Sequence, residues 1–304
     1  LSFTTPVARG LTFVTIAAIA WGTGGVVAAI LYRDSGLGPI AISFWRTIIG
    51  VALLAAGYGW RRRREARDTP ARPRATRSRR FLIAAVTGIG LATYQTAYYA
   101  GVQASGVAFA TVVTLGAGPI LIAVGARFAT AERLGLIGVA AVATAPVGLL
   151  LIVGGTAGNL AGVVFSLISA TGYALVTVLH RALGGVDPAR TTLHGFIVAS
   201  VCLAPLAVFE GLLPTQGVAW QTVGMLAYLG AVSTALAYSL FFASLSAVRA
   251  TTVSMLALAE PLTATAIAVV LLGEHLTWPM VAGSAVLLAA VALLTRAESG
   301  LSPA

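Results

Sequence analysis

The stretch from Pro119 to Leu134 reads PILIAVGARFATAERL, and 142 positions later the stretch from Pro261 to Leu276 reads PLTATAIAVVLLGEHL. Each opens on a proline within an apolar run and closes on a short signature, Ala131-Glu132-Arg133-Leu134 in one and Gly273-Glu274-His275-Leu276 in the other. At about the same offset Tyr98-Tyr99-Ala100 returns as Phe241-Phe242-Ala243. The chain is therefore a sequence written twice, and the number of membrane spans in each copy decides the fold.

Of 304 residues, 58% are hydrophobic and 9% charged, where a soluble domain carries about 25% charged residues. Apolar runs fall at 11–32, 40–60, 81–102, 107–128, 134–153, 160–180, 192–213, 220–246, 250–272 and 278–295. Each is close to the roughly 20 residues a spanning helix needs. Their all-round apolar character excludes outer-membrane strands, which alternate over segments of about 10 residues. The first run continues past Ala18 and Ala20 to Tyr32, so it reads as a retained span and not a cleaved signal peptide. The expected fold is an all-α integral membrane protein with ten transmembrane helices. One five-helix repeat occupies 11–153 and a second 160–295, joined by the glycine-rich run Gly154–Asn159. Five is odd, so the second half enters the bilayer in the opposite sense, an inverted repeat of the kind that encloses a midplane site in secondary transporters.

All 19 basic residues are Arg. Without lysine there is no Gly-x-x-x-x-Gly-Lys phosphate loop and no Schiff base. The single Cys202 and the scattered His180, His194 and His275 offer no metal motif, and nothing signals a cofactor. The net charge of +10 comes mainly from ten Arg between Arg61 and Arg80. Between two apolar runs, this segment reads as a cytoplasmic loop under the positive-inside rule, able to touch anionic headgroups, and not as a nucleic-acid surface. Alternation then puts both termini in the cytoplasm. Arg9, Arg127, Arg133, Arg181, Arg190, Arg249 and Arg296 fall inside, while Arg33 alone falls in an outer loop. Abundant Ala, Gly and Arg without Lys suggests a high-GC bacterial source.

Ionisable groups within spans cost about 2.5–3.5 kcal/mol at the centre, and two are clear. Glu260 lies about ten residues into the ninth span, before Pro261. It is either a cavity carboxylate for a substrate amine or a coupling proton, or a structural glutamate serving backbone groups that the proline frees. Arg46, about six residues into the second span, is either a substrate-carboxylate clamp or part of an ion pair that holds packing. Pro119 and Pro261 are both expected to break their helices. Trp21-Gly22-Thr23-Gly24-Gly25 is expected to interrupt the first span, as a gate or close crossing requires. Tyr94 and Tyr98 share one helix face, as do Tyr238 and Phe242. If those faces meet, they line an amphipathic pocket; otherwise the rings are packing or an interfacial belt. Tyr99, Phe241, Tyr173, Ser166, Ser169, Thr111, Thr114 and Ser254 are weaker candidates. His180 and His275, at span ends, read as interfacial, and His194 has no obvious partner.

The ordered set of Trp21-Gly22, Phe44-Trp45-Arg46, Gly118-Pro119 with Glu132-Arg133-Leu134, and Glu260-Pro261 with Gly273-Glu274-His275-Leu276 resembles the EamA-type branch of the drug/metabolite transporter superfamily over nearly the whole chain. His275 departs from it, since Arg more often follows the Glu. The resemblance implies a bacterial inner-membrane carrier with a small-molecule substrate. It is often an exporter of amino acids or other metabolites by alternating access, with a cavity lined by the first, third, fourth, sixth, eighth and ninth spans. Carried over by position, it supports Trp21, Tyr98, Tyr238 and Glu260 as lining residues. Import or exchange of drugs or metabolites is the alternative direction. A channel, which needs continuous polar rings, and an intramembrane enzyme, which needs a nucleophile and base at span depth, find little support. Substrate identity and oligomeric state stay open.

Overall fold

In the computed structural model, the described residues are 6–65, 77–105, 107–132, 135–153, 159–182, 188–215, 220–272 and 277–299. Within them the chain is helical, with no strand. In lipid a backbone amide finds no water, so apolar segments close their own hydrogen bonds as helices. The elements are α1 (Pro6–Ser35), α2 (Pro39–Glu65), α3 (Arg77–Ser105), α4 (Val107–Ala129), α5 (Leu136–Val153), α6 (Leu160–Ala182) and α7 (Pro188–Glu210). There follow α8 (Trp220–Tyr228), a π-helical stretch (Leu229–Leu236), α9 (Ala237–Ser244), α10 (Ala250–Ala257), α11 (Ala259–Leu272) and α12 (Trp278–Ser299). With α8 to α9 as one rod and α10 to α11 as another, the described residues make ten rods.

Seven of these are long and apolar enough to cross a membrane. The shorter apolar segments Leu136–Ile152 and Val281–Leu294 lie in α5 and α12, and the ninth rod is divided at Leu258. Exposed large rings gather near rod ends, at Trp60, Phe81, Phe128, Phe209, Trp220 and Trp278, where a membrane protein meets the headgroup region. The Arg-rich segment 66–76 and the glycine run 154–158 lie outside the described residues.

Packing partners follow the sequence repeat. α3 packs on α6 and α7, while the rod from α8 to α9 packs on α1 and α2. α4 packs on α6 as α10 and α11 pack on α1; α5 pairs with α12 and α2 with α7. Exchanging the first five rods for the last five leaves these pairings unchanged. The halves thus interleave instead of forming separate bodies. A core of Val14, Leu91, Phe196, Tyr238, Phe241, Val253 and their neighbours joins them.

Small residues set how closely the rods approach. α5 and α12 cross at Gly148 and Gly283, where a Cβ on Gly283 would lie 2.5 Å from the Gly148 carbonyl oxygen and 2.7 Å from the Ile152 amide nitrogen. Both are backbone atoms that cannot swing away, and such small-residue crossings replace the hydrophobic drive absent in lipid. Gly283→Val should lower stability by about 1–3 kcal/mol, as overpacking does. The loss should appear as a lower melting temperature in detergent, whereas Gly57→Ala, where a Cβ meets nothing within 4 Å, should leave it unchanged.

Candidate functional site

Two prolines at equivalent places in the repeat act differently. α4 runs unbroken through Pro119, which corrects the expected break there, while the ninth rod stops at Ala257 and restarts at Ala259. α4 carries Pro119 without a break, as α5 carries Pro146 and α7 carries Pro205, so a proline alone does not divide a rod here. Pro261 withholds the amide that would bond to the Ala257 carbonyl. The Leu258 amide instead donates to the Met255 oxygen at 3.1 Å, a tightened last turn.

This break sets Glu260 in the first turn of α11, where the helix dipole favours negative charge. α1 passes close behind: a Cβ on Gly22 would lie 2.7 Å from the Glu260 carbonyl oxygen. α1 is continuous across residues 21–25, so those glycines do not interrupt the span; they permit close crossing. The Glu260 side chain is half-buried, although Thr251 to Leu258 ahead of it are buried throughout. Among the described residues nothing hydrogen-bonds to its carboxylate. Its charge is felt by Tyr94, Tyr98, Tyr173 and Tyr238, and Arg46 is its opposite-charge neighbour.

Arg46 is held by the π-helical stretch. Its Nε donates to Thr234 Oγ1 at 3.2 Å, and Thr234 Oγ1 donates to the Leu229 carbonyl at 3.0 Å. π-helical turns in α-helices occur often at functional sites. Here the widened turn also fixes α1. Trp21 Nε1 donates to the Ser233 carbonyl at 3.0 Å and Ser233 Oγ donates to the Ala20 carbonyl at 3.0 Å.

The rings form a connected set. Trp21 stands against Tyr238 at 5.0 Å and Phe241 at 5.3 Å between centroids. Tyr173 links Phe241 at 6.0 Å to Tyr94 at 5.7 Å. Tyr98 shares a 2.8 Å hydrogen bond with Thr111, and Ser43 Oγ donates to Tyr99 OH at 2.8 Å. Tyr94, Tyr98 and Tyr238 thus interact electrostatically with Glu260, and Trp21 joins them through its contact with Tyr238. Phe242, 2% exposed, joins the set through Phe241 at 5.4 Å and Tyr238 at 5.8 Å, and stacks on His180 with centroids 3.8 Å apart and planes 11° from parallel. His180 Nδ1 lies 2.9 Å from the Val176 carbonyl oxygen.

Two features escape the sequence reading. Tyr173 and Phe241, ranked low, link Tyr94 to Trp21, and the π-helical stretch has no composition cue. Three of the weaker hydroxyl candidates serve backbone, Ser169 Oγ donating to the Tyr94 carbonyl, Thr114 Oγ1 to the Ser166 carbonyl and Ser254 Oγ to the Thr251 carbonyl, while Thr111 bonds Tyr98 and the buried Ser166 hydroxyl has no partner among the described residues. His194 Nδ1 lies 2.7 Å from the Arg190 carbonyl oxygen. Arg133, Gly273, Glu274, His275 and the side chain of Arg33 lie outside the described residues. Among the described residues no three His, Cys, Asp or Glu side chains come together as metal ligands. Thr234→Val, which keeps the shape but removes the acceptor of Arg46 Nε, should cost about 1–3 kcal/mol in stability, read as a lower melting temperature than Thr171→Val on the exposed face of α6.

Known proteins share this arrangement. The profile of the EamA-like transporter family matches residues 8–154 and again 160–296. An uncharacterized transporter of Bacillus subtilis (strain 168), YwfM, is 27% identical over 273 residues, covering 87% of this chain and 86% of its own. An uncharacterized transporter of Archaeoglobus fulgidus is 32% identical over 136 residues, 44% of this chain and 48% of its own. A solved crystal structure superposes with a TM-score of 0.79 at 18% identity, covering 97% of this chain and 99% of its own, which shows a shared fold. With the family profile matched in both halves, the chain belongs to the EamA-like transporter family.

Proposed function

We propose that this membrane transporter is a secondary carrier that exports small organic metabolites, amino acids among them, by alternating access around a midplane cavity between two inverted five-helix halves. The observation that carries the reading is the pair of opposite charges at span depth. Glu260 has no hydrogen-bond partner on its carboxylate among the described residues, and Arg46 is its electrostatic neighbour. A carboxylate kept in lipid without a partner is costly, so a ligand or a proton that neutralises it is favoured there. A zwitterion offers an ammonium to Glu260 and a carboxylate to Arg46. Trp21, Tyr94, Tyr98 and Tyr238 supply the apolar, polarisable walls that an organic side chain requires.

The reciprocal packing of the rods supports alternating access, because a two-fold exchange of partners lets one packing become its two-fold-related counterpart. The Arg-rich segment 61–80 supports cytoplasmic termini and a bacterial inner-membrane location. Export is the direction implied by family resemblance, with import or exchange as the alternative. Energy comes from a proton gradient through Glu260 or from the substrate's own gradient.

Proteoliposomes preloaded with unlabelled amino acids should take up the labelled compound by saturable counterflow. Glu260→Gln should abolish acceleration by an imposed pH gradient, while Arg46→Gln should raise the half-saturating concentration at least about tenfold, as loss of one charge-assisted contact does. Uptake that is linear in concentration contradicts a carrier, and pH-driven transport that survives in Glu260→Gln removes the proton from Glu260.

A further inference from the structure

At the end of the bundle where α4, α6 and α9 finish, one ion pair joins the two halves. Arg181, the penultimate residue of α6, donates from Nε to Glu132 Oε1 at 2.7 Å and from Nη1 to the Leu245 carbonyl at 3.2 Å. Glu132 belongs to the first half, in the corner between α4 and α5; Arg181 and Leu245 belong to the second. The side chains of Arg181 and Glu132 are 27% and 11% exposed. This lies between a solvated pair of little worth and a buried pair that holds permanently.

Two observations set the pair apart from ordinary structural packing. α4 closes with the Thr130 amide on the Ala126 carbonyl at 2.9 Å, and Ala131 then takes a φ of 54°. A non-glycine residue in the left-handed region is strained, and this turn is what delivers Glu132 to Arg181. The second oxygen of Glu132 is buried without a partner among the described residues. A fixed ion pair normally satisfies both oxygens, whereas a contact made in one state and broken in another need not.

The pair also adjoins the rings of the site. His180, the residue before Arg181, stacks on Phe242 at 3.8 Å, and Phe242 stands 5.8 Å from Tyr238. We propose that Arg181, Glu132 and the Leu245 carbonyl form a latch that holds the cytoplasmic end of this transporter shut and opens when substrate passes on that side. The proposal rests on the alternating-access reading above. It assigns to the Ala131-Glu132 signature a gating role, and makes Arg181 and Glu132 positioning residues that never touch substrate.

The test reads access, not transport. Thr177, buried and one helical turn before Arg181, becomes a reporter as Thr177→Cys in a Cys202→Ala background, probed with a membrane-impermeant maleimide in inside-out vesicles. The parent should label slowly. Glu132→Gln and Arg181→Gln should each label about tenfold faster, within the range of typical conformational coupling. Glu132→Arg combined with Arg181→Glu should label more slowly than either single variant, which a merely misfolded end would not do. Equal labelling of parent and single variants, or a double variant as fast as the singles, overturns the latch. Neither result touches the counterflow assay, so the two readings fail separately.

Discussion

A proline inside a membrane helix leaves a carbonyl without its amide partner, in a solvent that supplies none. At Pro261 the chain resolves this by ending one helix at Ala257 and starting another at Ala259. With that discontinuity go the placement of Glu260 in the first turn of α11, the close approach of α1 through Gly22, and an electrostatic interaction of the carboxylate with four tyrosines. The π-helical stretch in the neighbouring rod is the second departure from regular geometry, and it anchors Arg46 and Trp21. Both irregularities face the same cluster of side chains, while α4, α5 and α7 run continuously through Pro119, Pro146 and Pro205.

The repeat supplies symmetry of packing without symmetry of chemistry. Gly118 stands where the second half has Glu260, and a Cβ there would lie 3.2 Å from the ring of Tyr173. The position that carries charge in one half is thus a ring contact in the other. At this position of the repeat one half carries a carboxylate and the other none. Arg46, reaching in from α2 and held by Thr234, adds the opposite pole.

Most of the frame was legible in the sequence because in lipid a long apolar run has one backbone solution. The ten runs map onto ten rods, and the Pro119/Pro261 offset marks the halves between which packing partners exchange. What the sequence hid is rotation and register. The breaking power of Pro119 was misjudged because a long apolar helix can carry a proline without ending, as α5 and α7 also do at Pro146 and Pro205. Tyr173 and Phe241 were underrated because one ring in an apolar span looks the same whether it meets lipid or another ring. The residues from Leu229 to Leu236 carry no cue for a π-helix; that turn arises from what α1 and α2 offer against it.

In the proposed mode of binding, Glu260 and Arg46 together receive a zwitterion. Its most direct measurement is the rate at which a membrane-soluble carbodiimide modifies Glu260, followed by mass spectrometry of the purified transporter with and without small ligands. The account predicts that at least one amino acid slows modification in a saturable way, and that its methyl ester and its decarboxylated amine protect far less. Modification that proceeds at one rate whatever amino acid is present, or that the amine alone blocks as well as the zwitterion, would contradict it.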